Sequence, residues 1–140
     1  MGEVVAGADL DALVEESREA RNRAYAPYSN FFVGAALVTG DGRHFSGANV
    51  ENASYGLSIC AERVAAATAV AAGAYQIEAL AVTSSSPTPT PPCGACRQFL
   101  YEFNREMTIV SEGLNGERKQ WRLSALLLHG FGPEDVEGAR

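Results

Sequence analysis

The sequence is short of basic charge: 11 Lys and Arg stand against 17 Asp and Glu, giving a formal net charge of −6. A field of that sign repels polyanions, and no basic run with interleaved aromatics offsets it, so nucleic-acid partners are not expected. Long apolar runs are missing too. No window approaches the ~18 apolar residues of a membrane span. Met1-Gly2-Glu3-Val4-Val5-Ala6 lacks the positive stretch and apolar run of a signal peptide, and Ala6 stands where myristoylation wants Ser or Thr. A cytoplasmic location, away from membranes, is the expectation. Cysteines number three, an odd count that argues against a disulfide framework in that compartment. Six Pro and 14 Gly are too few for a low-complexity chain.

What is present is a 46% hydrophobic chain of 140 residues, which fits one domain over residues 1–140. Asp9 is placed to cap a helix carrying Leu10, Leu13, Val14 and Ala20 on one face, predicted to stop near Ala26-Pro27. Phe32 to Thr39 and His44 to Val50 read as strands joined by a Gly40-Asp41-Gly42 hairpin. A helix is predicted from Ser58 to Ala72, closed by Gly73. Its Ala- and Val-rich middle suits close packing against a sheet or a neighbouring subunit.

Gln76 to Thr83 is a third strand, followed by a Ser/Thr/Pro loop, a helix over Gly94 to Asn104 and a strand over Thr108 to Ser111. A turn at Leu114-Asn115-Gly116-Glu117 leads into a last strand, Arg118 to Leu123. Strands alternating with helices in the second half suggest parallel pairing there. The expected fold class is α/β, with a mixed five-stranded sheet covered by helices on both faces.

The informative residues are Cys60-Ala61-Glu62-Arg63 and Pro92-Cys93-Gly94-Ala95-Cys96. Residues two apart on a helix diverge, so Cys60 and Glu62 share a site only if it lies beyond the helix start. Cys93 and Cys96, three apart at another predicted start, reach the same point. Helix N-termini favour thiolate over thiol, and thiolate is the form that binds metal. A lone Cys-x-x-Cys also fits a redox pair or half a zinc knuckle. Adding Cys60-x-Glu62 points instead to Zn²⁺ on three thiolates, with the fourth position left for water. Glu62 would then take a proton from that water and return it to a leaving group. Three thiolates overcompensate the metal's charge, and Arg63 is placed to donate to them, though its spacing also suits a surface arginine. His44, in a strand, and His129, in a loop, read as surface or packing residues.

This order of motifs resembles the small, three-cysteine class of cytidine deaminases. The likeness runs through Tyr28-Ser29-Asn30-Phe31, Val33-Gly34-Ala35-Ala36-Leu37, Asn49-Val50-Glu51-Asn52-Ala53, both cysteine motifs with Arg97-Gln98, and Phe131-Gly132-Pro133-Glu134-Asp135. It implies the three-layer fold of that family, one Zn²⁺ per subunit, and deamination of cytidine and 2′-deoxycytidine in pyrimidine salvage. It also implies a homotetramer with sites near subunit interfaces. Carried over, Asn49 and Glu51 would bind ribose hydroxyls, Phe31 would line the base pocket, and the Ala61 N–H would hold the pyrimidine O2. Phe131 would pack on the base in a neighbouring subunit's site, while Ala53 and Tyr55 would approach the 5′-hydroxyl.

Phe32, Gly56-Leu57-Ser58 and Leu128 depart from residues frequent in that family, at positions expected beside the pocket. Three rivals compete with cytidine. A deaminase of another cytosine nucleoside such as blasticidin S would not need the Asn49 and Glu51 pair. A structural zinc module would not need Glu62. A polynucleotide editor is disfavoured by the negative charge.

Overall fold

A computed structural model describes residues 9–137; the Met1–Ala6 stretch read above for targeting signals lies outside the described residues. Helix α1, Leu10–Arg21, begins as predicted, with the Asp9 carboxylate accepting from the Ala12 N–H at 3.1 Å. It stops at Arg21, short of Ala26-Pro27. The Asn22, Arg23 and Ala24 N–H groups turn back onto the carbonyls of Glu19, Ala20 and Arg21, and Tyr25 then pairs with Val50 as an isolated bridge.

The strands are β1 (Val33–Thr39), β2 (His44–Ala48), β3 (Ile77–Ser84), β4 (Thr108–Glu112) and β5 (Arg118–Arg122). They form one sheet in the order β2-β1-β3-β4-β5. Only β3 and β4 run parallel, as the helix between them requires. The two hairpin turns carry Gly42 and Gly116 at φ 87° and 86°, a backbone state that favours glycine. β2 ends before Val50 because Val50 is taken by bridges to Tyr25 and Ile59.

Helix α2 is Ala61–Ala71 and α3 is Gly94–Tyr101. α2 starts later than the predicted Ser58, since Ile59 is held in the bridge to Val50 and Cys60 is extended. α3 ends before Asn104, whose amide leaves the helix to donate to the Ile77 carbonyl and accept from the Glu106 N–H. Leu123, predicted as strand, opens a short helix α4 (Leu123–Leu126), and α5 covers Pro133–Glu137. A 3₁₀ turn at Tyr55–Leu57 falls in the stretch read as loop.

Side-chain alternation along the strands makes three layers. On one face Leu13 and Val14 of α1 pack on Ala36, Ala79, Ala81 and Val110. On the other, Ala61, Ala65 and Ala69 of α2 and Leu100 of α3 pack with Ala35, Leu37, Leu80 and Ile109. The α2 C-terminus feeds β3 through a tight turn, so α2 and β3 run antiparallel and the start of α2 returns to the end of β3. There α3 begins. Both helix N-termini therefore meet at one end of the sheet.

Close packing of α2 depends on Gly47 in β2: a Cβ there would lie 2.6 Å from the Ala65 backbone nitrogen and 3.0 Å from the Ala61 carbonyl oxygen. Gly47→Ala is expected to lower stability by about 1–3 kcal/mol, the usual cost of overpacking, read as a lower midpoint in urea denaturation. At the end of β4 Glu112 sits between Arg18 Nη2 at 2.6 Å and Arg118 Nε at 3.0 Å. Burial works to raise its pKa, but hydrogen bonds from Arg118 and Arg18 outweigh it and hold the carboxyl below its ordinary value. A depressed carboxyl contributes stability above its unfolded pKa and loses it as pH falls through the folded one. Stability measured against pH is expected to drop on the acid side of the ordinary carboxylate range, and Glu112→Gln to flatten that drop while lowering stability at neutral pH.

Candidate active site and metal centre

Cys60 caps α2, Cys93 caps α3, and Cys96 lies in the first turn of α3. Their sulfurs all fall within 4.8 Å of one another, with Cys60 to Cys93 at 3.9 Å and Cys93 to Cys96 at 3.5 Å. Thiolates on a tetrahedral zinc at about 2.3 Å would stand about 3.8 Å apart. The donor set fits such an ion and leaves one tetrahedral position open.

Charge tells the same story. A hydrogen bond from Cys96 lowers the Cys60 pKa to about 5 against the effect of burial, with further help from Arg63, whose Nη2 donates to Cys60 Sγ at 3.6 Å. Cys96 is pushed far up, by that same hydrogen bond and by burial. One thiolate forms easily and a second beside it does not, which is the condition a bound divalent cation relieves. Arg63 is half-buried, and its Nε is buried with no partner among the described residues. All three cysteines are free.

Glu62, second residue of α2, is 5% exposed, and burial raises its carboxyl pKa to about 7, with the nearby Cys60 charge adding to the rise and its own backbone N–H opposing it. It lines a pocket of about 310 Å³ together with Cys60, Cys93 and Ala61 at the floor and Phe31, Asn49 and Glu51 along the wall. As the first helical residue, Ala61 has an N–H with no acceptor within the helix.

Asn49 and Glu51 are held in place by backbone. Asn49 Oδ1 accepts from the Val33 N–H at 2.9 Å, and its Nδ2 donates to the Phe31 carbonyl at 2.8 Å, leaving a second N–H. Glu51 accepts from the Tyr28 and Ser29 N–H groups at 2.9 and 3.2 Å and from the Ser29 hydroxyl. That hydroxyl is the main cause of its lowered pKa, so the carboxyl stays ionised.

Other candidates lie elsewhere. Tyr55, 73% exposed, tilts against Tyr28 in a hollow beside the pocket that Glu51 and Ser58 also line. Ala53 is exposed and lines neither space. Phe131, 60% exposed, does not line the pocket of its own chain. His44 pairs with Glu16 at 2.9 Å and His129 is exposed, so neither joins the sulfurs. Of the departures expected beside the pocket, only Ser58 lines it. Phe32 does not, because its neighbours Phe31 and Val33 take the pocket side while its backbone pairs with Ser85. Gly56 and Leu128 also lie away from the lining.

Sequence reasoning missed Thr90 and Pro91 on the wall and the part played by Arg97. Arg97 Nε donates to the Pro92 carbonyl at 2.7 Å and Nη1 to the Leu126 carbonyl at 2.8 Å, fixing the chain as it enters Cys93. Its place directly after Cys96 was visible; its acceptors were not.

The fold and the donor cluster define a class: a three-layer α/β protein built around a three-cysteine motif that can hold a metal. Residues 8–120 match the family model described as the cytidine and deoxycytidylate deaminase zinc-binding region. The chain belongs to that deaminase family and is an enzyme of its class. It is 42% identical over 132 residues to a cytidine deaminase of Sporosarcina psychrophila, covering 94% of this chain and 97% of the relative. A cytidine deaminase of Halalkalibacterium halodurans is 46% identical over 129 residues, covering 91% and 98%. The crystal structure of cytidine deaminase from Burkholderia pseudomallei superposes with a TM-score of 0.85 at 46% identity, covering 89% of this chain and all of that one.

Metal-depleted protein titrated with Cd²⁺ is expected to show a thiolate-to-metal charge-transfer band that saturates at one ion per chain, with protons released. Cys60→Ala, Cys93→Ala and Cys96→Ala should each weaken the band and the binding.

Proposed function

We propose that this enzyme hydrolyses cytidine to uridine and ammonia, using one Zn²⁺ per subunit held by Cys60, Cys93 and Cys96. The observation that carries the reading is the placement of a buried carboxyl, Glu62, against three clustered sulfurs at the floor of a nucleoside-sized pocket. Bound there, Zn²⁺ would supply Lewis-acid activation of water. Glu62 takes one proton from the attacking water and gives it to N3 of the ring, then takes the second from the hydroxyl now on C4 and passes it to the amine that leaves. A carboxyl with a pKa near 7 suits a group that must both accept and give. Arg63 draws charge from the thiolates, which keeps the cluster from becoming too electron-rich to activate water.

The rest of the chain orients the substrate. The Ala61 N–H donates to the pyrimidine O2, and Phe31 packs on the base. Asn49 and Glu51 hold ribose hydroxyls, the free amide N–H donating and the ionised carboxylate accepting. A grip on the 3′-hydroxyl serves 2′-deoxycytidine as well. Phe131 closes over the base in a neighbouring subunit's pocket, and Ala53 and Tyr55 lie near the 5′-hydroxyl. Exposed Tyr25, Phe32, Tyr55, Leu57 and Ile59 support assembly into a homotetramer. Among the described residues no helix is long and apolar enough to cross a membrane. A single domain over residues 1–140, acting in the cytoplasm in pyrimidine salvage, is the role this chemistry fits.

Purified protein is expected to shift the ultraviolet absorbance of cytidine to that of uridine, and Glu62→Gln at matched zinc content to lose about 10²–10⁴-fold in kcat. A wild-type protein that carries zinc and leaves cytidine unchanged would overturn the reading.

A further inference from the structure

Gln98 stands directly after the Cys96-Arg97 pair and points to the other end of the chain. Its Oε1 accepts from the Phe131 N–H at 3.0 Å and its Nε2 donates to the Phe131 carbonyl at 2.6 Å. One side-chain amide thus satisfies both backbone groups of a residue that lies outside every helix and strand, as a paired strand would. Farther along the same side of the chain, Gly130 packs on the Tyr101 ring so tightly that a Cβ would lie 2.7 Å from it. Arg105 stacks on Tyr101 with its guanidinium carbon 4.6 Å from the ring centre and pairs with Glu134. Residues 130–134 are fastened to α3 and the turn that follows it at three successive points. The Phe131 backbone is pinned while its ring stands out from the surface.

We propose that Gln98 is a positioning residue for substrate binding, acting by holding Phe131 in the orientation in which its ring meets the bound base. This rests on the reading of Phe131 given above. Holding the backbone before substrate arrives removes an ordering cost from the binding step, so Gln98 governs affinity and leaves the chemical step alone. It also ties the segment that carries the aromatic to the helix whose cap is Cys93 and whose first turn carries Cys96.

The test is a double-mutant cycle on the zinc-loaded enzyme, with Gln98→Ala, Gln98→Glu, Phe131→Ala and Gln98→Ala/Phe131→Ala. Steady-state constants for cytidine are read beside the calorimetric Kd for uridine, with zinc content and Tm checked. Gln98→Ala is expected to raise KM and Kd about tenfold, equivalent to about 1.4 kcal/mol, with kcat held. Gln98→Glu keeps the acceptor for the Phe131 N–H but sets a carboxylate against its carbonyl, and should raise KM in the same sense. Should Gln98→Ala fold poorly, Gln98→Glu decides alone. In the Phe131→Ala background the Gln98 effect should vanish. A raised KM for Phe131→Ala with unchanged constants for the Gln98 variants overturns the proposal only. So does a Gln98 effect that adds in full to that of Phe131→Ala, or one that falls on kcat. A wild-type KM for Phe131→Ala overturns the reading of Phe131 itself, and with it this assignment.

Discussion

Everything at the site depends on two helix N-termini meeting at one point. A thiol is a poor metal donor until it loses its proton, and a helix start, with its unpaired N–H groups and positive dipole end, is where the loss costs least. Here α2 and α3 each open on a cysteine in extended conformation, and the sheet brings those openings together. The topology makes this unavoidable. α2 runs antiparallel to β3 and α3 is the crossover that carries the chain to parallel β4, so both helices start where β3 ends. Small residues on α2 and Gly47 beneath it let the helix lie close to the sheet, which keeps the two openings within bonding reach of one ion.

That convergence sets an electrostatic problem which the neighbouring residues answer. Three sulfurs so close cannot all ionise without a cation, because each thiolate raises the cost of the next. Arg63 supplies part of the positive charge from the first turn of α2. Glu62, between them in sequence, is buried on the pocket side and kept close to neutrality by lack of solvent. Acidic and basic groups one residue apart thus do different work, because one faces a dry pocket and the other the sulfur cluster.

α3 has a second office. Beyond its cysteines, Arg97 fastens the loop that delivers Cys93, and Gln98 fastens the segment that carries Phe131. Three functions, donor placement, loop anchoring and presentation of an exposed aromatic, are stacked on a helix of eight residues. The wall of the pocket is made differently. Asn49 and Glu51 lie just after β2, where regular pairing gives way to isolated bridges, and each is oriented by hydrogen bonds to backbone of the 28–33 segment.

Local chemistry made much of this legible beforehand. Asp9 declared its helix, the Gly40-Asp41-Gly42 and Asn115-Gly116 turns declared their hairpins, and the cysteine spacing declared a shared site, because caps, positive-φ turns and ligand spacing are decided by residues within a few positions of each other. Helix and strand ends were less legible. α1, α2 and α3 are shorter than their patterns suggest, since bridges from Val50 to Tyr25 and Ile59 and the Asn104 bond to Ile77 draw residues away, and those partners are remote in sequence. The motifs by themselves marked out the candidate site residues. Only the tertiary structure decided how they are held: the Ser29 grip on Glu51, the Arg97 clamp on Leu126, and the Gln98 hold on Phe131 each join an ordinary polar side chain to a partner that only the folded chain brings near, and hydrogen bonds of that kind leave no spacing to read.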